Sequence, residues 1–389
     1  MSKKVRIFLY ILSLVLTSAV LVLLIFNEKI TKTTDSQKAN AQTGIETETI
    51  EKNEVENTTE QTDDDAQNDT PNEETENGPT TIVFAGDVLL ASTMEQYYDT
   101  EGVNGLLSEE LLAEMVNADI CMVNNEFQFS NRGTPMEDKQ FTFQTDPEHV
   151  QILLDMGVDI VTLANNHTID FGLEALEDTF ATLEDAGILY AGAGDTKARA
   201  EELQIIEANG KKFGFLAATR VIPVSEWNVE YRQPGLFATY DDTRLVACIK
   251  AAKEECDFLT VYVHWGIERE AYPQDYQTTL AKHYFAAGAD LVIGAHPHVL
   301  QGIEFMDGKP VFYSLGNYIF NPTIAKTMLV KVVVEPDGEV EYSIIPAYAA
   351  NGQTQIFKGE DAQAHFNYMN EISSKNYVDA NGIVRDVTE

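Results

Sequence analysis

The polar residues of this chain that could do chemistry gather where short apolar runs stop: Asp87 in GDVLL, Glu126 in NNEF, Asn166 and His167 in ANNH, His264 in VHWG, and His296 and His298 in GAHPH. Carboxylate, imidazole and amide oxygen together form a donor set for a divalent ion. No thiolate accompanies them, which argues against a purely structural zinc site and leaves manganese, zinc and iron undistinguished. Each residue also has a plain reading: Asp87 as a helix cap, Glu126 as an ion-pair partner, Asn166 as a turn residue and His264 as a satisfied buried histidine. The joint arrangement carries the argument. In His296-Pro297-His298, residues two apart in an extended segment share one face and converge on neighbouring ions. One or two metal ions are therefore expected.

Other residues flank the same strand ends. Trp265, Ser314 and Asn317 are candidates for shaping a substrate pocket, although Trp265 equally reads as ordinary packing. Glu268 is a candidate to hold His264 from behind, or an exposed carboxylate. Asp170 follows His167 closely enough to orient its ring, and is equally placed to cap a helix beginning near Phe171.

The elements that must position these groups alternate. Apolar runs at 81–87, 119–126, 159–167, 211–220, 258–266, 290–298 and 310–317 read as strands covered on both faces. Between them, helical spacing runs over Leu106–Asn117, Pro147–Met156, Leu173–Ala186, Asp241–Cys256 and Asp275–Ala287, several ending at a glycine. This predicts an α/β fold with its ligand at the C-terminal ends of the strands. Near the end, Met328–Val334 and Val340–Pro346 flank Pro336-Asp337-Gly338 as a hairpin.

Composition divides the 389-residue chain further. Residues 1–6 carry Lys3, Lys4 and Arg6. Residues 7–26 are a largely apolar run long enough to span a bilayer, which the positive-inside rule orients with the remainder outside the cell membrane. The alternative is a cleaved signal peptide with Ala39-Asn40-Ala41 as its cleavage site. Residues 27–79 are acidic and nearly devoid of large apolar side chains, a composition for a disordered linker. The globular domain is expected over 80–350, with a C-terminal extension over 351–389. A formal charge of −37 excludes a nucleic-acid partner, which needs clustered Lys and Arg. Three cysteines without a CxxC spacing imply neither a disulfide framework nor a cysteine zinc site.

Taken in order, GDVLL, NNEF, LANNHTIDFG, VHWGIE, GAHPHVLQG and YSLGNYIF resemble the motif series of the CapA family of poly-gamma-glutamate capsule synthesis proteins, over roughly residues 80 to 320. That family is similar in turn to the calcineurin-like metallophosphoesterases. The resemblance implies a four-layer αββα sandwich binding one or two metals, with Asp87, Glu126, Asn166, His264, His296 and His298 as ligands. His167 is implied as general acid with Asp170 as its orienting carboxylate. One position departs: the phosphoesterases carry a histidine two residues after the first aspartate, and Leu89 stands there, so the half built on Asp87 and His298 lacks a ligand. The implied role is the making or export of an anionic glutamate polymer beside other capsule-synthesis membrane proteins. A non-catalytic, polymer-binding assembly subunit and a stand-alone surface metallophosphoesterase are the alternatives.

Overall fold

In the computed structural model, which describes residues 78–90 and 92–387, the apolar runs form two sheets. The expected anchor (7–26) and the expected linker up to residue 77 lie outside the described residues. Among the described residues no helix is long and apolar enough to cross a membrane.

Thr80–Val88, Ile120–Asn125, Ile160–Thr162 and Leu189–Ala191 run parallel, in that order, in a nine-stranded sheet. Beyond Thr80–Val88 the sheet continues antiparallel through Ile324–Val334 and Val340–Ala350. These last two form the expected hairpin, each strand four residues longer than its pattern. Gln353–Ile356 and Ile383–Val384 both pair with Val340–Ala350, so residues after Ala350 continue this sheet. The second sheet has six strands, with Lys211–Thr219, Phe258–His264, Leu291–Ala295 and Lys309–Leu315 parallel at its centre.

Alternation along each strand decides what each face meets. From Thr80–Val88, Ile82 and Phe84 join Met122, Phe215, Tyr262 and Phe312 in a core shared by the two sheets. Val83 and Ala85 point the other way, toward Leu111, Met115, Ile152 and Leu176 on helices. Val261 and Val263 of the second sheet face Leu245, Ile249 and Tyr284 on helices of their own. The mixed α/β expectation holds, with helices outside and two sheets within.

Several helices are shorter than their periodicity. Leu173–Ala186 and Asp275–Ala287 match their patterns. The expected Leu106–Asn117 begins only at Glu109, because Ser108 accepts a hydrogen bond from Leu111 N and caps it there. Asp241–Cys256 contracts to Thr243–Ala252. Strand Thr80–Val88 has a register irregularity between Phe84 and Asp87 beside Ile120–Asn125. There Gly86 touches the Gly316 turn so closely that a Cβ would lie 1.9 Å from Gly316 O. Asp87 N donates to that same oxygen, which locks the GDVLL and YSLGN segments together.

Candidate metal centre

Asp87 is the last but one residue of Thr80–Val88 and fully buried, and Glu126 follows Ile120–Asn125, its N–H donating to Val88 O. His264 is the last residue of Phe258–His264. These three converge across the two sheets: one donor atom from each lies within 4.8 Å of the others.

Asn124 organises them. Its Nδ2 lies 2.8 Å from Asp87 Oδ1, 2.9 Å from Glu126 Oε1 and 3.2 Å from His264 Nδ1. Its Oδ1 accepts from Asn165 Nδ2, which fixes the end of the amide that faces the cluster. An amide nitrogen has two hydrogens, so three acceptors share two donors. His264 Nε2 donates to Asn166 Oδ1 at 2.7 Å. His298 Nδ1 is shared between Asp87 Oδ2, at 3.2 Å, and Asn317 Oδ1, at 2.8 Å. Glu126 Oε2 and His296 Nδ1 are buried with no hydrogen-bond partner among the described residues.

Buried acceptors without donors carry a desolvation cost of about 1–3 kcal/mol each unless something satisfies them. The cluster is rich in acceptors and short of donors, a deficit that a cation offsets. The residues therefore fit a divalent ion held by Asp87, Glu126, His264 and His296, with Asn166 and His298 beside them.

Electrostatics agree. Burial, reinforced by the Asp87 carboxylate, pushes Glu126 well above the usual carboxylate range. Burial and the neighbouring imidazoles of His296 and His298 hold His264 well below the ordinary histidine value. Burial and His298 bring His296 down to about 4. Both are thus neutral imidazoles near pH 7, the form that ligates metals. Burial by itself lowers His298, but its hydrogen bond to Asp87 and the Glu126 charge outweigh that and carry it up to about 10.

The convergence of His296 and His298 does not come from an extended segment, as their spacing predicts. Leu291–Ala295 ends first, and both histidines have positive φ, 98° and 58°. This tight turn brings their rings to 5.9 Å and sets His296 4.8 Å from His264. Such backbone placements cost of order 1 kcal/mol or more and collect at functional sites.

A second polar corner lies beside the cluster. His167 Nδ1 is 2.8 Å from Asp170 Oδ2 and 3.2 Å from Lys139 Nζ, while Phe143 packs against the ring at 4.6 Å. Lys139 also donates to Asp170 Oδ1 and to Asn166 O. Burial pulls Lys139 below the ordinary lysine value against the attraction of Asp170. Asp170 accepts further from Phe143 N, so it orients His167; it caps no helix, since Gly172 occupies the N-cap of Leu173–Ala186.

A cleft of about 760 Å³ opens over His167, His298 and Asn317, walled by Phe141, Phe143 and Phe320. Leu89, which stands where the resemblance implies a histidine, lines it while only 3% exposed. Two expected pocket residues do not reach it. Trp265 is fully buried, its Nε1 donating to Tyr313 O and its ring stacked on Tyr284. Ser314 is also fully buried, its hydroxyl donating to Val299 O and accepting from Gly316 N. Their polar atoms serve the backbone. Glu268 does not hold His264; it is exposed at the cleft.

Sequence reasoning missed Asn124 and Lys139. Asn124 was within reach, as the first asparagine of NNEF. Lys139 was not: it lies in a loop with no motif, 28 and 31 residues from its partners His167 and Asp170.

Comparison with known proteins supplies an independent line. The family described as bacterial capsule synthesis protein PGA_cap matches residues 81–322. The PGA biosynthesis protein CapA of Bacillus subtilis (strain 168) is 29% identical over 272 residues, covering 68% of this chain and 70% of that protein. The capsule biosynthesis protein CapA of Bacillus anthracis is 27% identical over 286 residues, covering 71% and 69%. Among solved structures, a novel phosphatase from Mycoplasma pneumoniae aligns over 70% of this chain and 95% of its own, with 13% identity and a TM-score of 0.46.

Proposed function

Because the chain belongs to the bacterial capsule synthesis protein PGA_cap family, we propose that it serves poly-gamma-glutamate capsule biosynthesis or export as a membrane-anchored, extracytoplasmic protein whose metal centre supports hydrolysis in the cleft. The observation that carries the catalytic part is the donor-poor cluster of Asp87, Glu126, His264 and His296 beside a histidine held by a buried carboxylate. Layered sheets with donors at strand ends support a centre of the metallophosphoesterase type. The apolar run at 7–26 behind Lys3, Lys4 and Arg6 supports the anchor, and an extracytoplasmic role places the domain beside other capsule-synthesis membrane proteins.

A divalent ion bound there supplies Lewis-acid polarisation. The chain's own residues do the rest. Asp170 and Lys139 fix the Nδ1 side of the His167 ring, and no hydrogen bond among the described residues engages Nε2. Since His167 lines the cleft, Nε2 is the atom at which a proton passes to a departing group. Phe143 holds the ring plane, while the apolar wall of Leu89, Phe141 and Phe320 excludes water around it.

One observation favours a second reading, a polymer-binding subunit without turnover: Leu89 withholds a donor from the half of the centre built on Asp87 and His298.

The test incubates the full-length protein, with manganese or zinc, with poly-gamma-glutamate and separately with an aryl phosphate. Polymer shortening that disappears with chelator and in His167→Asn is expected. Aryl phosphate turnover with the polymer untouched would contradict the capsule reading, and polymer binding with neither reaction would select the binding subunit.

A further inference from the structure

The cleft does not end at the metal centre. A second depression of about 270 Å³ begins at the same His298, Val299 and Asn317 and continues past Ile324 to Lys326 and Tyr368. The turn bearing His298 thus lines both hollows.

Each hollow carries one exposed cation. Arg269 lines the larger, and its N–H donates to Pro297 O at 2.8 Å, which ties its loop to the His296-Pro297-His298 turn. Lys326 lines the smaller, its ammonium 4.5 Å from the centroid of the Tyr368 ring. Neither is paired with a carboxylate among the described residues. Glu268, the one acid lining the larger hollow, is exposed and not bonded to Arg269; no acid lines the smaller. In a chain with 63 acidic against 26 basic residues, two cations that flank the candidate metal centre without a carboxylate partner among the described residues are places for anionic groups.

We infer that the two hollows form one groove that holds an anionic polymer across the metal centre, with Arg269 taking a carboxylate on one side of the turn and Lys326 a carboxylate on the other. This rests on the glutamate-polymer reading and sharpens it: the protein engages the interior of a chain, not its end alone. A ligand confined to one hollow reaches a single cation. A longer one reaches both, and the second contact forms intramolecularly.

The test is binding of fluorescent γ-linked glutamate dimer and decamer to the full-length protein, by anisotropy at low salt. Wild type, Arg269→Ser, Lys326→Ser and the distant Lys250→Ser are compared; all three substituted positions are exposed, so the fold is retained. The decamer is expected to bind wild type and Lys250→Ser about tenfold more tightly than the dimer, and each groove variant to lose most of that gain. Equal affinity for dimer and decamer would overturn the groove while leaving the glutamate reading intact. So would a length gain that survives both groove substitutions. Failure of wild type to bind either oligomer would overturn the glutamate reading and the groove with it.

Discussion

Two polar corners sit side by side at the ends of the parallel strands, and they are satisfied in opposite ways. Around Asp170, Lys139 Nζ and Phe143 N supply donors, and His167 is held between carboxylate and ammonium. Around Glu126, three acceptors compete for the two hydrogens of Asn124, while Glu126 Oε2 and His296 Nδ1 have no partner among the described residues. The first corner is complete as folded protein. The second is short of donors, a deficit that a cation would offset.

Breaking the complete corner has the largest expected effect. Lys139→Met leaves Asp170 buried without its cation and is expected to destabilise the protein by roughly 3–5 kcal/mol in chemical denaturation, with metal content unchanged.

Next comes another place with orphaned atoms. Both ring nitrogens of His365 are buried without partners among the described residues, beside Phe357. Burial, with Lys326 nearby, brings its pKa down to about 4. The folded value lies below the unfolded one, so the unfolded chain takes up a proton first: stability is full above about pH 6.5 and falls as pH drops toward 4. The loss amounts to about 3 kcal/mol. His365→Phe should flatten that acid limb in urea titrations without altering metal content, since no carboxylate is grouped with this histidine.

In the incomplete corner the sign reverses. Glu126→Gln brings two donors to a site that lacks them, and is expected to stabilise the metal-free protein by about 1–3 kcal/mol while abolishing the rise in Tm on adding zinc or manganese. A metal-free variant less stable than wild type would break the contrast between the corners. Smallest of all, Ser314→Ala should cost about 1 kcal/mol by removing the link between Val299 O and Gly316 N, with metal content and polymer binding intact.

Much of this was legible in the sequence, because strand ends collect functional residues and each strand announced itself by its apolar run. Asp87, Glu126, Asn166, His264, His296 and His298 all meet near one point. What was not legible depends on backbone detail and long-range contact. The tight turn with positive φ at His296 and His298 leaves no mark in a histidine-proline-histidine string, and Lys139 reaches His167 from a loop of unremarkable composition. Trp265 and Ser314 misled for a related reason: lying near a site residue in sequence does not turn a side chain toward the site. Trp265 follows His264 in sequence and so points away from it, into the helix-covered core.

The central claim is that the donor-poor cluster exists to hold a divalent ion. It is tested most directly by elemental analysis of the purified full-length protein beside a His296→Ala/His298→Ala variant. At least one divalent ion per chain is expected in the wild type, and its loss in the variant. Equal metal content in the two proteins would contradict the account.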